Sequence, residues 1–194
     1  MKVCGGCNTE IIRKRYNTKH LNIKKVVVIG PESTGKSTLS EALAKALYTA
    51  WVPEYAREYL EIYGIKYEEQ DLLAIAEGQL QSEDEQCAKA QRLLICDTDL
   101  YVIKVWSEHK YGHCNPQILE QIAARHYDLY LLTGIDIGWQ QDPMREHPET
   151  EMRQYFYTIY KDIVIQSGIP WVEITGDEDN RLKQAMAAVK KYIS

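Results

Sequence analysis

At 194 residues, 45% apolar and 26% charged, the chain has the size and balance of one soluble domain with a single core. Its formal net charge of -5 speaks against a nucleic-acid binder, which usually carries a basic face. No apolar run approaches the roughly 18 residues of a membrane span, and the opening MKVCGGCNTE lacks a signal-peptide core. The expectation is a cytoplasmic protein with a small-molecule partner, no nucleic acid and no membrane, its oligomeric state left open.

Residues 1–24 are polar and carry seven basic side chains, Lys2, Arg13, Lys14, Arg15, Lys19, His20 and Lys24, without a core pattern. They are expected to form an extension over the domain surface, either a solvated tail or a basic interaction arm. Five cysteines are an odd number and too sparse for a disulfide scaffold. Cys4 and Cys7 supply only half the ligands of a structural zinc site. His109 and His113 have helical i, i+4 spacing but no carboxylate motif to complete a site.

From Lys25 onward, short apolar runs alternate with longer amphipathic ones. Val26–Ile29 reads as a buried strand and Lys36–Tyr48 as a helix rich in Ala and Leu. Trp51–Val52 reads as a short strand ended by Pro53, and Glu68–Arg92 as one long helix. Leu93–Cys96 is a buried strand running into Asp97, followed by helices at Leu100–Tyr111 and Pro116–Ala124. Leu129–Thr133 is the next strand. Asp136–Glu149 is polar, contains two prolines and reads as a mobile loop of the kind that forms lids. Helix Glu151–Gln166, strand Trp171–Ile174 and helix Glu178–Tyr192 complete the chain. Strands alternating with helices predict an α/β fold, a parallel sheet covered on both faces.

The first strand runs into GPESTGKST, which fits G-x-x-x-x-G-K-S/T at every fixed position. Strand, glycine loop and helix in this order make a phosphate cradle. Gly30 and Gly35 free the backbone, so the N–H groups of Pro31-Glu32-Ser33-Thr34 and its neighbours (Pro31 itself has none) can turn onto phosphate oxygens. Lys36 supplies a positive charge, Ser37 a hydroxyl for Mg²⁺, and Thr38 continues the loop into the helix. The magnesium needs an acidic partner, and Asp97 ends a buried strand where such sheets present their ligand groups. Asp99 either belongs to the site or caps the helix that starts at Leu100.

Glu54-Tyr55-Ala56-Arg57 follows the short strand and reaches the same edge of the sheet. Glu54 is placed to bind a substrate hydroxyl or take its proton, with Arg57 one helical turn on; the alternative is a surface helix with ordinary ion pairs. Trp139 and Arg145 lie in the long loop, where Arg145 either closes over a transferring phosphoryl group or is simply solvated. Tyr55, Tyr59, Tyr101, Trp106 and Trp139 fall near these positions in sequence and suggest an aromatic pocket.

GPESTGKSTL, VPEYAREY, ICDTDLYVIKVW with EHKYG, and YDLYLLT followed by DIGWQQDPMR together resemble the ribosylnicotinamide kinase domain of NadR-type proteins, within the P-loop ATPase and kinase group. The resemblance runs in unbroken order over about residues 25–192. It implies a three-layer P-loop fold with a five-stranded parallel sheet, and ATP-dependent phosphorylation of the 5′-hydroxyl of nicotinamide riboside. By that resemblance Lys36 and Ser37 hold ATP and Mg²⁺, Glu54, Arg57, Asp97 and Asp99 form the acceptor and metal side, and Arg145 belongs to the lid. Kinases of other nucleosides or metabolites, and a nucleotide switch on the same fold, remain the alternatives. Full-length NadR proteins add an adenylyltransferase domain and in some cases a DNA-binding domain. Neither activity is expected of these 194 residues. The lid's usual D-G-x-R reads Asp142-Pro143-Met144-Arg145 here, which stiffens it.

Overall fold

The computed structural model describes residues 23–140 and 142–193. The predicted extension, Cys4 and Cys7 lie outside the described residues, apart from Ile23 and Lys24, and Lys24 already opens the first strand. Among the described residues there are five strands and seven helices. In chain order they are β1 Lys24–Ile29, α1 Lys36–Ala46, β2 Ala50–Val52, α2 Tyr55–Tyr63, α3 Glu69–Lys89, β3 Leu93–Asp97, α4 Leu100–Tyr111, α5 Pro116–Ala124, β4 Leu129–Thr133, α6 Thr150–Gln166, β5 Trp171–Ile174 and α7 Glu178–Tyr192.

The strands form one sheet in the order β2-β3-β1-β4-β5, and every pairing is parallel. β1 is central and fully buried from Val26 to Ile29, which explains its unbroken apolar run: helices cover both faces. Alternate residues serve the two sides. Val27, Ile29, Leu94, Cys96, Tyr130 and Leu132 pack under α4 and α6. Val26, Val28, Ile95, Leu129 and Leu131 pack against Leu39 and Leu43 of α1 and Ala185 and Val189 of α7. A further apolar cluster binds α2, α3, α4 and α5 to one another through Ala56, Leu72, Ile75, Leu100, Ile103 and Ile118.

Two helix ends differ from the sequence expectation. α1 stops at Ala46 because Tyr48, 98% exposed, takes a left-handed conformation with φ 51°. α3 ends at Lys89, and α2 is a helix in its own right between β2 and α3. Gly78, inside α3, has a packing reason. A Cβ there would lie 2.0 Å from Tyr55 Cε1, so the glycine lets the α2 tyrosine lie flat on α3.

The lower edge of the sheet is held by an ionic cluster. Glu83 of α3, 1% exposed, accepts from Lys25 Nζ at 2.7 Å, Tyr127 Oη at 2.8 Å and Arg125 Nη1 at 3.4 Å. Arg125 also forks onto both oxygens of Asp84 at 2.6 and 3.0 Å. The carboxylate thereby ties α3 to β1 and to the entry of β4, far from the upper edge where the strand ends open.

Candidate phosphoryl-transfer site

Parallel register brings Gly30, Pro53, Thr98 and Gly134, each just past a strand end, to one edge of the sheet. The glycine loop sits there between β1 and α1. Gly30 has φ 150°, and a Cβ on it would lie 2.4 Å from Thr133 Oγ1 of the neighbouring strand, so no side chain fits. Gly35 takes the left-handed conformation at the N-cap of α1, φ 74°, and aims the helix's first N–H groups into the loop. Thr34 is buried and locks the turn by donating to Pro31 O at 2.7 Å while meeting Thr133 Oγ1 at 2.7 Å. Lys36 Nζ folds over the loop onto Pro31 O at 2.8 Å.

A cavity of about 670 Å³ opens above this loop. Gly30, Glu32, Ser33, Thr34, Gly35, Lys36, Ser37 and Thr38 form its floor; Glu54, Arg57 and Trp106 form one wall; Trp139 and Arg145 cover it from the long loop. The structure thus brings together most of the residues that the sequence singled out, from four separate segments. Pro31, Tyr55, Asp97 and Asp99 do not line it.

Asp97 lies just beneath. It is 1% exposed, accepts from the Ser37 hydroxyl, and one of its oxygens, Oδ1, is buried without a partner among the described residues. Burial pushes its carboxyl up to about 7, with the Glu54 charge adding to the rise and Ser37 and Lys36 opposing it. A buried carboxylate with an unpaired oxygen beside a serine hydroxyl suits a hard cation that takes oxygen ligands. Ser37 and Asp97 are therefore the residues that fit Mg²⁺.

Asp99 does something else. Its Oδ1 accepts from Tyr101 N at 2.9 Å and caps α4, and its Oδ2 accepts from Tyr130 Oη at 2.7 Å. It faces a separate cavity of about 400 Å³ behind the sheet edge. Of the two roles left open by the sequence, the structure shows capping. Tyr55 is a correction of the same kind, since its ring packs on Gly78 rather than facing the cavity.

The long loop, residues 134–140 and 142–149 of those described, is irregular but tied down by hydrogen bonds. Arg145 N donates to Asp142 O at 3.1 Å, closing a turn with Pro143 at its second position, where proline suits turn geometry. Arg57 Nη2 reaches Asp142 Oδ2 at 2.9 Å, and Arg145 Nη1 reaches Ser33 Oγ at 3.1 Å and Gln140 O at 2.8 Å.

Two buried arginines went unnoticed in the sequence. Arg181 of α7, 3% exposed, donates to Thr34 O at 2.7 Å, Gly134 O at 3.2 Å, Gly176 O at 2.7 Å and Asp136 Oδ1 at 2.7 Å. Arg153 of α6 bridges Ser33 O and Ile137 O at 3.4 and 3.0 Å. Both join the glycine loop to the long loop through backbone carbonyls, which leave no mark in a sequence, and Arg181 also lines the cavity. His109 and His113 part company: His109 packs on Phe156 and His147, while His113 pairs with Glu69 at 2.8 Å. Among the described residues no cluster of three or more His, Cys, Asp and Glu side chains forms a metal site. Also among them, no helix is long and apolar enough to cross a membrane.

A family model described as an AAA domain matches residues 25–181, from the first strand to the buried arginine of α7. The chain belongs to this AAA-domain family. Within the family's P-loop fold it is similar to the trifunctional NAD biosynthesis/regulator protein NadR of Salmonella typhimurium, 25% identical over 178 residues, and to NadR of Escherichia coli K12, 24% identical. These alignments cover 88% of the chain but only 43% of the curated relatives' length. A crystal structure of a NadR protein in complex with NR superposes with a TM-score of 0.75 at 26% identity, over 90% of this chain and 51% of that one. A deoxyadenosine kinase from M. mycoides shares the fold with a TM-score of 0.55 at 15% identity, over 86% of this chain and 98% of that one. The resemblance to NadR-type domains read from the motifs is thus matched by sequence and by fold.

Proposed function

We propose that the chain is a kinase that transfers the γ-phosphoryl group of ATP to the 5′-hydroxyl of nicotinamide riboside, giving nicotinamide mononucleotide. The observation that carries this reading is one cavity holding both halves of the reaction. A phosphate cradle with Lys36 and Ser37 forms its floor, and the Glu54 carboxylate stands on its wall. Its volume, about 670 Å³, falls in the ~300–1,000 Å³ range of small-molecule sites. The likeness to NadR, one of whose structures contains NR, favours nicotinamide riboside over other acceptors.

In this reading the glycine loop and the start of α1 grip the phosphates of ATP. Lys36 leaves Pro31 O for the β- and γ-phosphates. Ser37 and Asp97 hold Mg²⁺, which, when bound, neutralises charge on the phosphates. Glu54, which lines the cavity where Asp97 does not, accepts the proton of the 5′-hydroxyl as its oxygen bonds to the γ-phosphorus and ADP departs. Arg145 stands at the cradle mouth and offsets charge on the transferring group. Positioning and electrostatics supply most of the rate in such transfers.

The test is a phosphorylation assay with ATP and Mg²⁺ over a panel of nucleosides that includes nicotinamide riboside, with products identified by mass. Transfer to another nucleoside in preference redirects the reading to a general nucleoside kinase. Tight nucleotide binding with no transfer to any acceptor converts it to a nucleotide switch.

A further inference from the structure

Glu32 is an odd residue for a phosphate cradle. It places a carboxylate in the loop meant to hold a polyanion, at a position the P-loop pattern leaves free. Its surroundings explain it. Glu32 Oε2 accepts from two successive backbone N–H groups of the long loop, Glu146 at 3.0 Å and His147 at 3.3 Å, 114 and 115 positions away in the chain. The adjoining Ser33 repeats the pattern on the other side of the lid: its Oγ accepts from Gln140 N at 2.8 Å and from Arg145 Nη1 at 3.1 Å. Ser33 takes φ 55° to do so.

The two cradle side chains therefore grip the loop before and after Arg145. Nothing else on the Glu146–His147 side holds the loop to the cradle by a described hydrogen bond; Arg57 holds the turn at Asp142, on the acceptor wall. Carboxylate acceptors of backbone N–H are among the stronger hydrogen bonds, because one partner is charged. Burial disfavours the charge on Glu32 and raises its pKa, and the two N–H donors and Lys36 oppose that rise.

We propose that Glu32 is a positioning residue that latches the lid to the phosphate cradle and so sets Arg145 over the site. The consequence rests on the kinase reading, but the latch does not. A cradle that carries its own lid latch transmits the arrival of phosphate directly to the loop bearing Arg145, through side chains one peptide away from the N–H groups that bind the phosphate.

The experiment separates latch from catalysis. Hydrogen exchange is followed at the amides of Glu146 and His147 in the full chain without ligand, for wild type, Glu32→Ala and Glu32→Gln. Glu32→Ala should speed exchange at those two amides by about 10- to 100-fold, the equivalent of losing a charge-assisted hydrogen bond, with Glu32→Gln in between because its amide oxygen still accepts. Unchanged exchange in Glu32→Ala overturns the latch whatever the enzyme does. With an acceptor that wild type phosphorylates, Glu32→Ala should lower kcat by about tenfold while KM for ATP moves less than about threefold, and Glu32→Gln should recover part of kcat. Freed amides with kcat unchanged would overturn the positioning role and leave Glu32 a purely structural clasp. Equal losses in Glu32→Ala and Glu32→Gln would do the same.

Discussion

Arg57 Nη2 and Asp142 Oδ2 meet at 2.9 Å across 85 residues of sequence, joining α2 to the turn that carries Arg145. The pair ties the cavity wall that carries Glu54 and Arg57 to the loop that carries Arg145. Asp142 is drawn below the usual carboxylate range, first by the backbone N–H of Met144 and then by Arg57, with burial opposing. Both side chains are partly exposed, so the pair itself is worth little to stability. Asp142→Asn should leave the melting temperature within a few degrees of wild type. Turnover should nonetheless fall, because the turn loses its hold on α2. Unaltered turnover in the variant would mean that the wall and the lid work independently.

Lys36→Ala should lower transfer by about 100-fold or more while the fold stays intact. Among the described residues Lys36 hydrogen-bonds only Pro31 O, so its removal opens no core. Circular dichroism and thermal melting check the fold, and turnover checks the chemistry. A folded variant with full activity would exclude the kinase mechanism.

Arg145→Lys keeps the charge but loses the planar guanidinium, whose Nη1 donates to both Ser33 Oγ and Gln140 O while its Nε lies 3.7 Å from Asp142 Oδ2, and with it the second terminal nitrogen that could meet a phosphoryl oxygen. kcat should fall by at least about tenfold, a fraction of the ~10³–10⁵ that an arginine finger supplies. ATP affinity should change little. An effect confined to KM would make Arg145 a ground-state binding residue.

The sheet was legible because each strand is a short apolar run ended by a polar or turn residue, and parallel strands buried on both faces read as unbroken runs. The cradle was legible because its glycines and lysine have fixed spacing. Tyr55 and Asp99 were not, because sequence position near an edge does not tell which way a side chain turns. Gly78 opens a slot that draws Tyr55 onto α3, and the free N–H of Tyr101 together with the Tyr130 hydroxyl claims Asp99. Arg153 and Arg181 were invisible for another reason: buried arginines that serve backbone carbonyls look like any surface arginine on a helix.

Asp99 also gives the protein a pH signature. Burial raises its carboxyl to about 7, against the hydrogen bonds of Tyr130 and Tyr101 that favour the charge. The folded state therefore holds this proton more tightly than the unfolded chain, where an aspartate titrates near ~3.9. Between those values the native state binds more protons, so this group's contribution to stability falls as pH rises from about 4 to 7 and is flat above. Asp99→Asn cannot titrate but can still cap α4. The melting temperature of Asp99→Asn relative to wild type should become more favourable from pH 5 to pH 8. A difference independent of pH would show that Asp99 titrates normally.

The acceptor preference is the prediction that most directly tests the chemistry of the wall. Nicotinamide riboside carries a fixed positive charge on its pyridinium ring, and a site that selects it should offer a carboxylate and an electron-rich aromatic face. The structure supplies these from fewer residues than the sequence suggested. Tyr55 is packed on Gly78, Tyr59 Oη is held by Asp71 at 2.8 Å, and Tyr101 lines the other cavity, which leaves Trp106 and Trp139 of that set, joined by Tyr160 of α6, as the aromatic side chains lining the cavity with Glu54. Trp139 Nε1 is buried without a partner among the described residues, so a ligand atom that accepts from it would remove a desolvation cost as well. Nicotinamide riboside should be used at least ~100-fold more efficiently than uridine or adenosine, about 2.7 kcal/mol in transition-state binding. One desolvated cation–π contact and one charge-assisted hydrogen bond reach that sum. kcat/KM for the three acceptors, measured under one set of conditions, decides it, and Trp106→Leu and Trp139→Leu assign it. The variant that removes the selective ring should lose the preference for the pyridinium while keeping its rate on uridine. Equal use of all three acceptors by wild type would mean that the wall does not read charge.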